Sequence, residues 1–203
     1  MPTFATALPI TGLLALIGYL LGSIPSGVLV TRALGLGDLR RIGSGNIGAT
    51  NVLRTGSRPA AALTLLADMA KGALAVLAAR HWGGPDAAQA AALAAVLGHL
   101  YPIWLRFRGG KGMATLLGVV TALNPVLGLL AALAWLFTAF VFRISSLAAL
   151  AAAGLTPLFA LFLGSGNMFL VLVVLVALVY WRHAANIRRL REGTEPKIGA
   201  KST

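Results

Sequence analysis

Four short stretches of the chain carry nearly all the groups that could do polar chemistry: GSGNIGATNVLR at residues 43–54, GHLYPIWLRFRGGKG at 98–112, RISS at 143–146 and HAANIRR at 183–189. Between them they hold glycines that expose backbone N–H groups, arginine and lysine charges, hydroxyls, and an imidazole three residues from a carboxamide. Each type suits an oxyanion, because N–H donors and guanidinium forks meet phosphate oxygens with directed hydrogen bonds. In the first stretch Gly43, Gly45 and Gly48 let backbone approach a ligand closely. Ser44, Asn46, Thr50 and Asn51 add short polar arms there, and Arg54 can fork two oxygens. In the second, Gly109, Gly110 and Gly112 flank Lys111, so its charge is expected to sit beside exposed amides at a helix start, as in an anion nest. His99 precedes Pro102, where the helix is expected to bend. Ser145 and Ser146 read as helix N-caps compatible with ligand contact. His183 and Asn186 share one face if their helix continues.

Three further patterns have the right letters in the wrong setting. Gly43, Gly45 and Gly48 fit G-x-G-x-x-G, but the dinucleotide fingerprint needs a preceding strand, and here a basic loop precedes it. GGKG lacks both the first glycine of a Walker A loop, with Leu105 in its place, and the magnesium-binding hydroxyl, with Gly112 in its place. His81 and Asp86 have the spacing of the His-x4-Asp motif of common glycerolipid acyltransferases, yet they fall in a turn away from every other polar cluster.

The elements that must carry these stretches follow from composition. Of 203 residues, 58% are hydrophobic and 11% charged, with mean hydropathy +0.86, which is outside the range of a soluble domain. Charge-poor runs at 8–31, 59–79, 87–105, 144–163 and 167–181 are long enough to read as membrane helices. The run 112–142 is too long for one crossing and short for two. Taking Asn124-Pro125 as a turn makes two short crossings and returns Arg143 to the side of Arg106, Arg108 and Lys111. The expected fold is therefore an all-α integral membrane protein of seven transmembrane helices, with the N terminus outside and the C terminus cytoplasmic. In that arrangement 15 of the 17 Lys and Arg lie on the cytoplasmic side, the exceptions being Lys71 and Arg80. The net charge of +12 is then topology rather than a nucleic-acid surface. Asp68 and Lys71, at i and i+3 within a span, read as a structural ion pair. No polar segment is long enough to bury a core of its own, so residues 1–203 form a single membrane domain. With zero cysteines, thiol chemistry is excluded, and no residue spacing calls for a metal or cofactor.

All four polar stretches fall on the cytoplasmic face in this topology, and a shared phosphate pocket is their simplest common purpose. GSGNIGATNVLR and GHLYPIWLRFRGGKGMAT resemble the two signature motifs of the bacterial acyl-phosphate:glycerol-3-phosphate acyltransferases. GSIPSG at 22–27, DMAKG at 68–72, the serine pair 145–146 and His183 with Asn186 follow in family order over essentially the whole chain. Arg108 stands where many members carry Lys, which keeps the charge. The resemblance implies an inner-membrane enzyme that moves a fatty acyl chain from acyl phosphate to glycerol 3-phosphate, giving lysophosphatidic acid in the first acylation of phospholipid synthesis. It implies no cofactor, the lipid bilayer as surroundings, and acyl phosphate supplied by a separate soluble enzyme. Carried over by position, the substrate site comprises Ser44, Asn46, Thr50, Asn51, Arg54, Lys111, Ser145, Ser146, His183 and Asn186. Gly48, His99, Gly109 and Gly110 join it from the residue reading. Direct transfer, without an acyl-enzyme, leaves the hydroxyl proton to His183 or to the departing phosphate. Two other readings compete: a phosphate or glycerol-phosphate transporter, and an enzyme that uses acyl-CoA or acyl carrier protein.

Overall fold

The computed structural model describes residues 7–199, and every regular element among them is helical. Helix α1, Leu8–Gly22, stops where Pro25 denies the next turn its N–H, and α2, Ser26–Ala33, resumes after the break. A short turn, α3, spans Ala49–Val52. Helix α4, Arg58–Leu100, opens with Ser57 accepting from the Ala60 N–H and with Pro59 in the first turn. A straight helix of its 43 residues would be about 65 Å long. Instead Asp68 Oδ1 and His99 Nδ1, 31 residues apart, lie 3.5 Å from one another. The chain reverses at Gly84, whose φ of 74° is closed to most side chains, and Pro85 starts the returning limb. Asp68 is 16 residues before that reversal and His99 is 15 after it, so they meet at one depth.

Four more helices complete the bundle: α5 (Met113–Leu123), α6 (Pro125–Phe142), α7 (Ser145–Phe162) and α8 (Phe169–Arg182), with the short α9 (Ala184–Arg191) after a 64° bend. Asn124 ends α5 and caps α6, accepting from the Val126 and Leu127 N–H groups. Four stretches among the described residues are helical, long and apolar enough to cross a bilayer, or five with the bent α8–α9 pair. Helix α5, at 11 residues, rises only about 16 Å. Residues 1–6, whose side of the membrane the sequence places outside, lie beyond the described residues.

The bundle has two distinct ends. At one, Arg80 donates to the Leu123 carbonyl (2.9 Å) and the Asn124 amide to the Ser165 hydroxyl (3.1 Å), which gathers the turns at 84, 124 and 165. At the other, Thr50 meets Ser145 (3.1 Å) and Lys111 meets Asn186 (2.6 Å). Small residues allow the helices between to close up: a Cβ at Gly22 would fall on the Ala95 carbonyl, and one at Gly118 on that of Met69. The outer surface is apolar, with Phe140 86% and Phe162 89% exposed, which suits hydrocarbon and not water. Within it, Lys71 pairs with Asp68 at 2.8 Å and donates to the Ile24 carbonyl at the α1–α2 break, so neither charge is buried alone.

Candidate active site

The loop before α3 is built around one amide. Asn51, buried, donates to the Leu39 and Ile42 carbonyls (3.1 and 2.9 Å) and accepts from the Ser44 N–H (3.1 Å). Its hydrogen bonds thus close the loop. A Cβ at Gly43 would stand 2.6 Å from Arg54 Cδ, so glycine there leaves room for Arg54 to lie across the loop with its guanidinium exposed. Asn46 Oδ1 accepts from the Gly48 N–H (2.9 Å), and Thr50 reaches over to Ser145.

The glycine turn that follows α4 works differently from the expected anion nest. Gly109 N–H donates to the Leu100 carbonyl (3.1 Å) and Gly110 N–H to that of His99 (3.0 Å). These amides are spent on the carbonyls that a helix end leaves open. Arg182 grips the two glycine carbonyls from the other side (3.0 and 3.1 Å) while its guanidinium lies 5.4 Å from the centre of the Tyr101 ring. Gly110 packs directly on the His99 ring, leaving no space for a Cβ. Lys111 is the group that projects, and its Nζ donates to Asn186 Oδ1. Burial pulls the Lys111 ammonium down to about 8; Glu195 opposes the shift, and Arg189, Arg54 and Arg182 add to it.

Ser145 and Ser146 are the first two residues of α7 and cap nothing; Ile144 precedes them as the N-cap. Their hydroxyls are turned elsewhere, Ser145 to Thr50 and Ser146 to Glu195. Nor does the last long helix continue through His183, because the 64° bend falls there. The bend brings Asn186 to Lys111. His183 is 3% exposed, with Nδ1 2.8 Å from the Val179 carbonyl. A carbonyl can only accept, so Nδ1 carries the proton and Nε2 the free lone pair. Burial pushes the His183 imidazolium down to about 4 despite the Val179 bond and the Glu195 charge, with Lys111 and Arg182 contributing to the fall.

One member of the site escaped the sequence reading. Glu195, in the segment after α9, accepts from Asn186 Nδ2 (2.5 Å), Ser146 Oγ (2.6 Å) and Arg189 Nε (2.7 Å). Burial raises its carboxyl pKa, but the three hydrogen bonds outweigh that and the net shift is downward. The signal available was scarcity: Glu195 is one of only five acidic residues, set among cations. Arg182 and Arg189 were also passed over, because sequence alone cannot separate them from topological anchors.

A cavity of about 330 Å³ joins these parts. Its walls include Ser44, Asn46, Gly48, Thr50, Asn51, Arg54, His99, Lys111, Ser145, Ser146, His183 and Asn186, whereas Gly109 and Gly110 stay behind Lys111. The same cavity continues into an apolar section between α4, α5 and α6, walled by Leu65, Met69, Leu117, Ala132, Trp135 and Leu136. The arrangement can hold an anionic head group among cations and lay an alkyl chain against lipid-facing helices. His81 and Asp86 sit beside the Gly84 reversal, outside the cavity, and among the described residues no strand precedes Gly43. Among the described residues no three His, Asp or Glu side chains gather at metal-binding spacing.

Residues 12–193 match the family model described as glycerol-3-phosphate acyltransferase. The chain is 61% identical over 198 residues to a glycerol-3-phosphate acyltransferase of Cereibacter sphaeroides, covering 95% of this chain and 94% of that one. It is 58% identical to one of Ruegeria pomeroyi, with each chain covered in full. The fold is similar, with a TM-score of 0.88, 40% identity and coverage of 93% of this chain and 96% of the other, to the crystal structure of PlsY (YgiH), an integral membrane glycerol 3-phosphate acyltransferase, in its glycerol 3-phosphate form. The lysophosphatidic acid form of PlsY gives a TM-score of 0.87 at 38% identity, over 93% and 95% of the two chains.

Proposed function

The chain belongs to the glycerol-3-phosphate acyltransferase family, and from that premise we propose that it acylates glycerol 3-phosphate to lysophosphatidic acid with acyl phosphate as donor. The observation that carries the reading is the two-part cavity, whose cationic and apolar sections match the two halves of a lysophospholipid. The family sets aside a transporter.

The reaction forms a bond from a glycerol hydroxyl oxygen to the acyl carbonyl carbon and breaks the bond to the phosphate oxygen. An acyl phosphate is a mixed anhydride with a good leaving group, so no acyl-enzyme is needed. What the protein must supply is proximity of two anions that repel each other. Arg54, Lys111 and Arg189 offset that repulsion, and positioning of this kind is worth roughly 7–11 kcal/mol. Ser44, Asn46, Thr50 and Ser145 add hydroxyl and amide contacts, and Asn51, Gly109, Gly110 and His99 hold the loops in place. His183 accepts a hydrogen bond at Nε2 from the attacking hydroxyl and aims it. Its neutral imidazole, whose conjugate acid is held at about 4, is a weaker base than a phosphomonoester dianion with a second pKa of about 6, so the proton ends on a phosphate oxygen.

The acyl chain lies along Leu65, Met69, Leu117 and Trp135. Seven crossings, namely α1 with α2, the two limbs of α4, and α5 to α8, place all four polar stretches on the cytoplasmic face of the inner membrane. The alternation of site-end and far-end turns supports this, as does the basic residue bias. The deciding experiment offers glycerol 3-phosphate and acyl phosphate, acyl-CoA or acyl carrier protein to the purified protein and follows lysophosphatidic acid. Product from acyl phosphate alone is expected; product from a thioester and none from acyl phosphate would sink the donor assignment.

A further inference from the structure

We infer that Glu195 is a positioning residue of this site: its carboxylate turns the Asn186 amide and the Ser146 hydroxyl and supplies the counter-charge beside the Lys111 ammonium. The inference rests on the acyl-transfer reading of the cavity.

The carboxylate is built in rather than resting on the surface. Its side chain is 7% exposed. The segment that carries it is tied down on both sides, by the Thr194 N–H to the Arg189 carbonyl (2.8 Å) and the Ile198 N–H to the Arg143 carbonyl (2.6 Å). Glu195 Oε1 takes a proton donor from both Asn186 Nδ2 and Ser146 Oγ. With Nδ2 committed there, Asn186 can offer only its oxygen to Lys111, as it does at 2.6 Å. The flipped amide would set oxygen against carboxylate and NH₂ against ammonium, so the Glu195 charge decides which way the amide points. Ser146, whose O–H donates its hydrogen bond to Glu195, has only lone pairs left to offer a ligand. Together with His183 Nε2, this makes that wall an acceptor for glycerol hydroxyl protons, while the cations attend to phosphate.

The charge argument is separate. The groups that face Lys111 are Arg54 from the first loop, Arg182 from α8, Arg189 from α9, His183 and Glu195. Asp68 also lines the cavity but is already paired with Lys71. Glu195 is therefore the carboxylate available to Lys111, and burial without it would drive the ammonium further towards its neutral form.

The test is a pH series of kcat/KM for glycerol 3-phosphate, from pH 6.5 to 9.5, on the full chain in detergent with acyl phosphate. The wild type should decline above pH about 8, and Lys111→Arg, whose guanidinium does not titrate here, should lose that decline. Glu195→Gln should move the decline down by about one pH unit, the effect of removing one partly screened charge. It should also lower kcat about tenfold. Glu195→Asp keeps the charge but withdraws it by a methylene, so it should lower kcat with the decline nearly in place. An unmoved decline in a folded Glu195→Gln overturns the inference. Should Glu195→Gln not fold, Glu195→Asp decides: wild-type kcat overturns it, and lowered kcat with an intact melting temperature upholds it. A wild-type chain that yields no product from acyl phosphate sinks the acyl-transfer reading itself, an outcome distinct from either of these.

Discussion

His183 shows how burial fixes what a side chain can do. Its imidazolium at about 4 in the folded protein, against 6.5 as the ordinary value, leaves it neutral throughout the working range. Removing it should therefore cost one orienting hydrogen bond and not a base. His183→Ala is expected to lower kcat roughly tenfold, against the 10²–10⁴ that loss of a general base would bring. A fall of a thousandfold would return the proton to His183. The same shift fixes a stability prediction. Between pH 6.5 and about 4 the unfolded chain binds the proton that the folded His183 refuses, so stability is complete above 6.5 and drains away as the pH falls. The loss is on the order of 3 kcal/mol by pH 4. Thermal unfolding in detergent should show a falling midpoint over that window, and His183→Gln should flatten it. At this scale the sequence named His183, Asn186 and Lys111 but could not name Glu195. Its partners Ser146 and Arg189 are 49 and 6 residues away, and nothing local joins the three.

Helices bring these residues together by approaching closely at small side chains. In α1, Gly22 lies against the Ala95 carbonyl, whereas Gly12 has nothing within 4 Å of its Cβ position. The two positions should respond with opposite signs to one substitution. Gly22→Ala forces α1 away from α4 and should cost at least 1–3 kcal/mol, while Gly12→Ala should be neutral or stabilising by up to about 1 kcal/mol. Melting temperatures of the two variants decide it, and equal shifts would mean that the α1–α4 contact is not tight. Hydropathy marks Gly22 and Gly12 alike, and GSIPSG sets Gly22 apart only by resemblance; the packed neighbour supplies the physical difference. The glycine turn at 109–112 carries the same lesson in reverse. Its glycines were legible as a place where backbone comes close; at Gly109 and Gly110 the partners are the end of α4 and the side chain of Arg182, while Gly112 lines the cavity.

At the scale of the whole molecule, the turns near 84, 124 and 165 lie at one end and the cavity lies towards the other. Under the proposed seven crossings these ends face opposite sides of the membrane. The chain has no cysteine, so single cysteines can report this directly. Cysteines placed at Trp82 and Gly164 should react with an impermeant maleimide from outside intact cells. Those at Ser44 and Arg108 should react only in inverted vesicles. Labelling of Ser44 and Arg108 from opposite sides would dismantle the shared cavity and the enzyme proposed on it.

Composition and the spacing of charge were enough to determine a helical membrane protein, a break at Asn124-Pro125 and four polar stretches fit for phosphate, because hydrocarbon tolerates unpaired polar groups so poorly that each one stands out. Tertiary structure alone decided which of those groups face the cavity and which are consumed in holding it. Asn51 closes its own loop, Gly109 and Gly110 cover a helix end, and a glutamate from beyond the last helix completes the site. Such assignments depend on which donor finds which acceptor, at separations from 7 residues within the Asn51 loop to 95 between Thr50 and Ser145, and a hydrogen bond acts over about 3 Å of space whatever the length of chain between its partners.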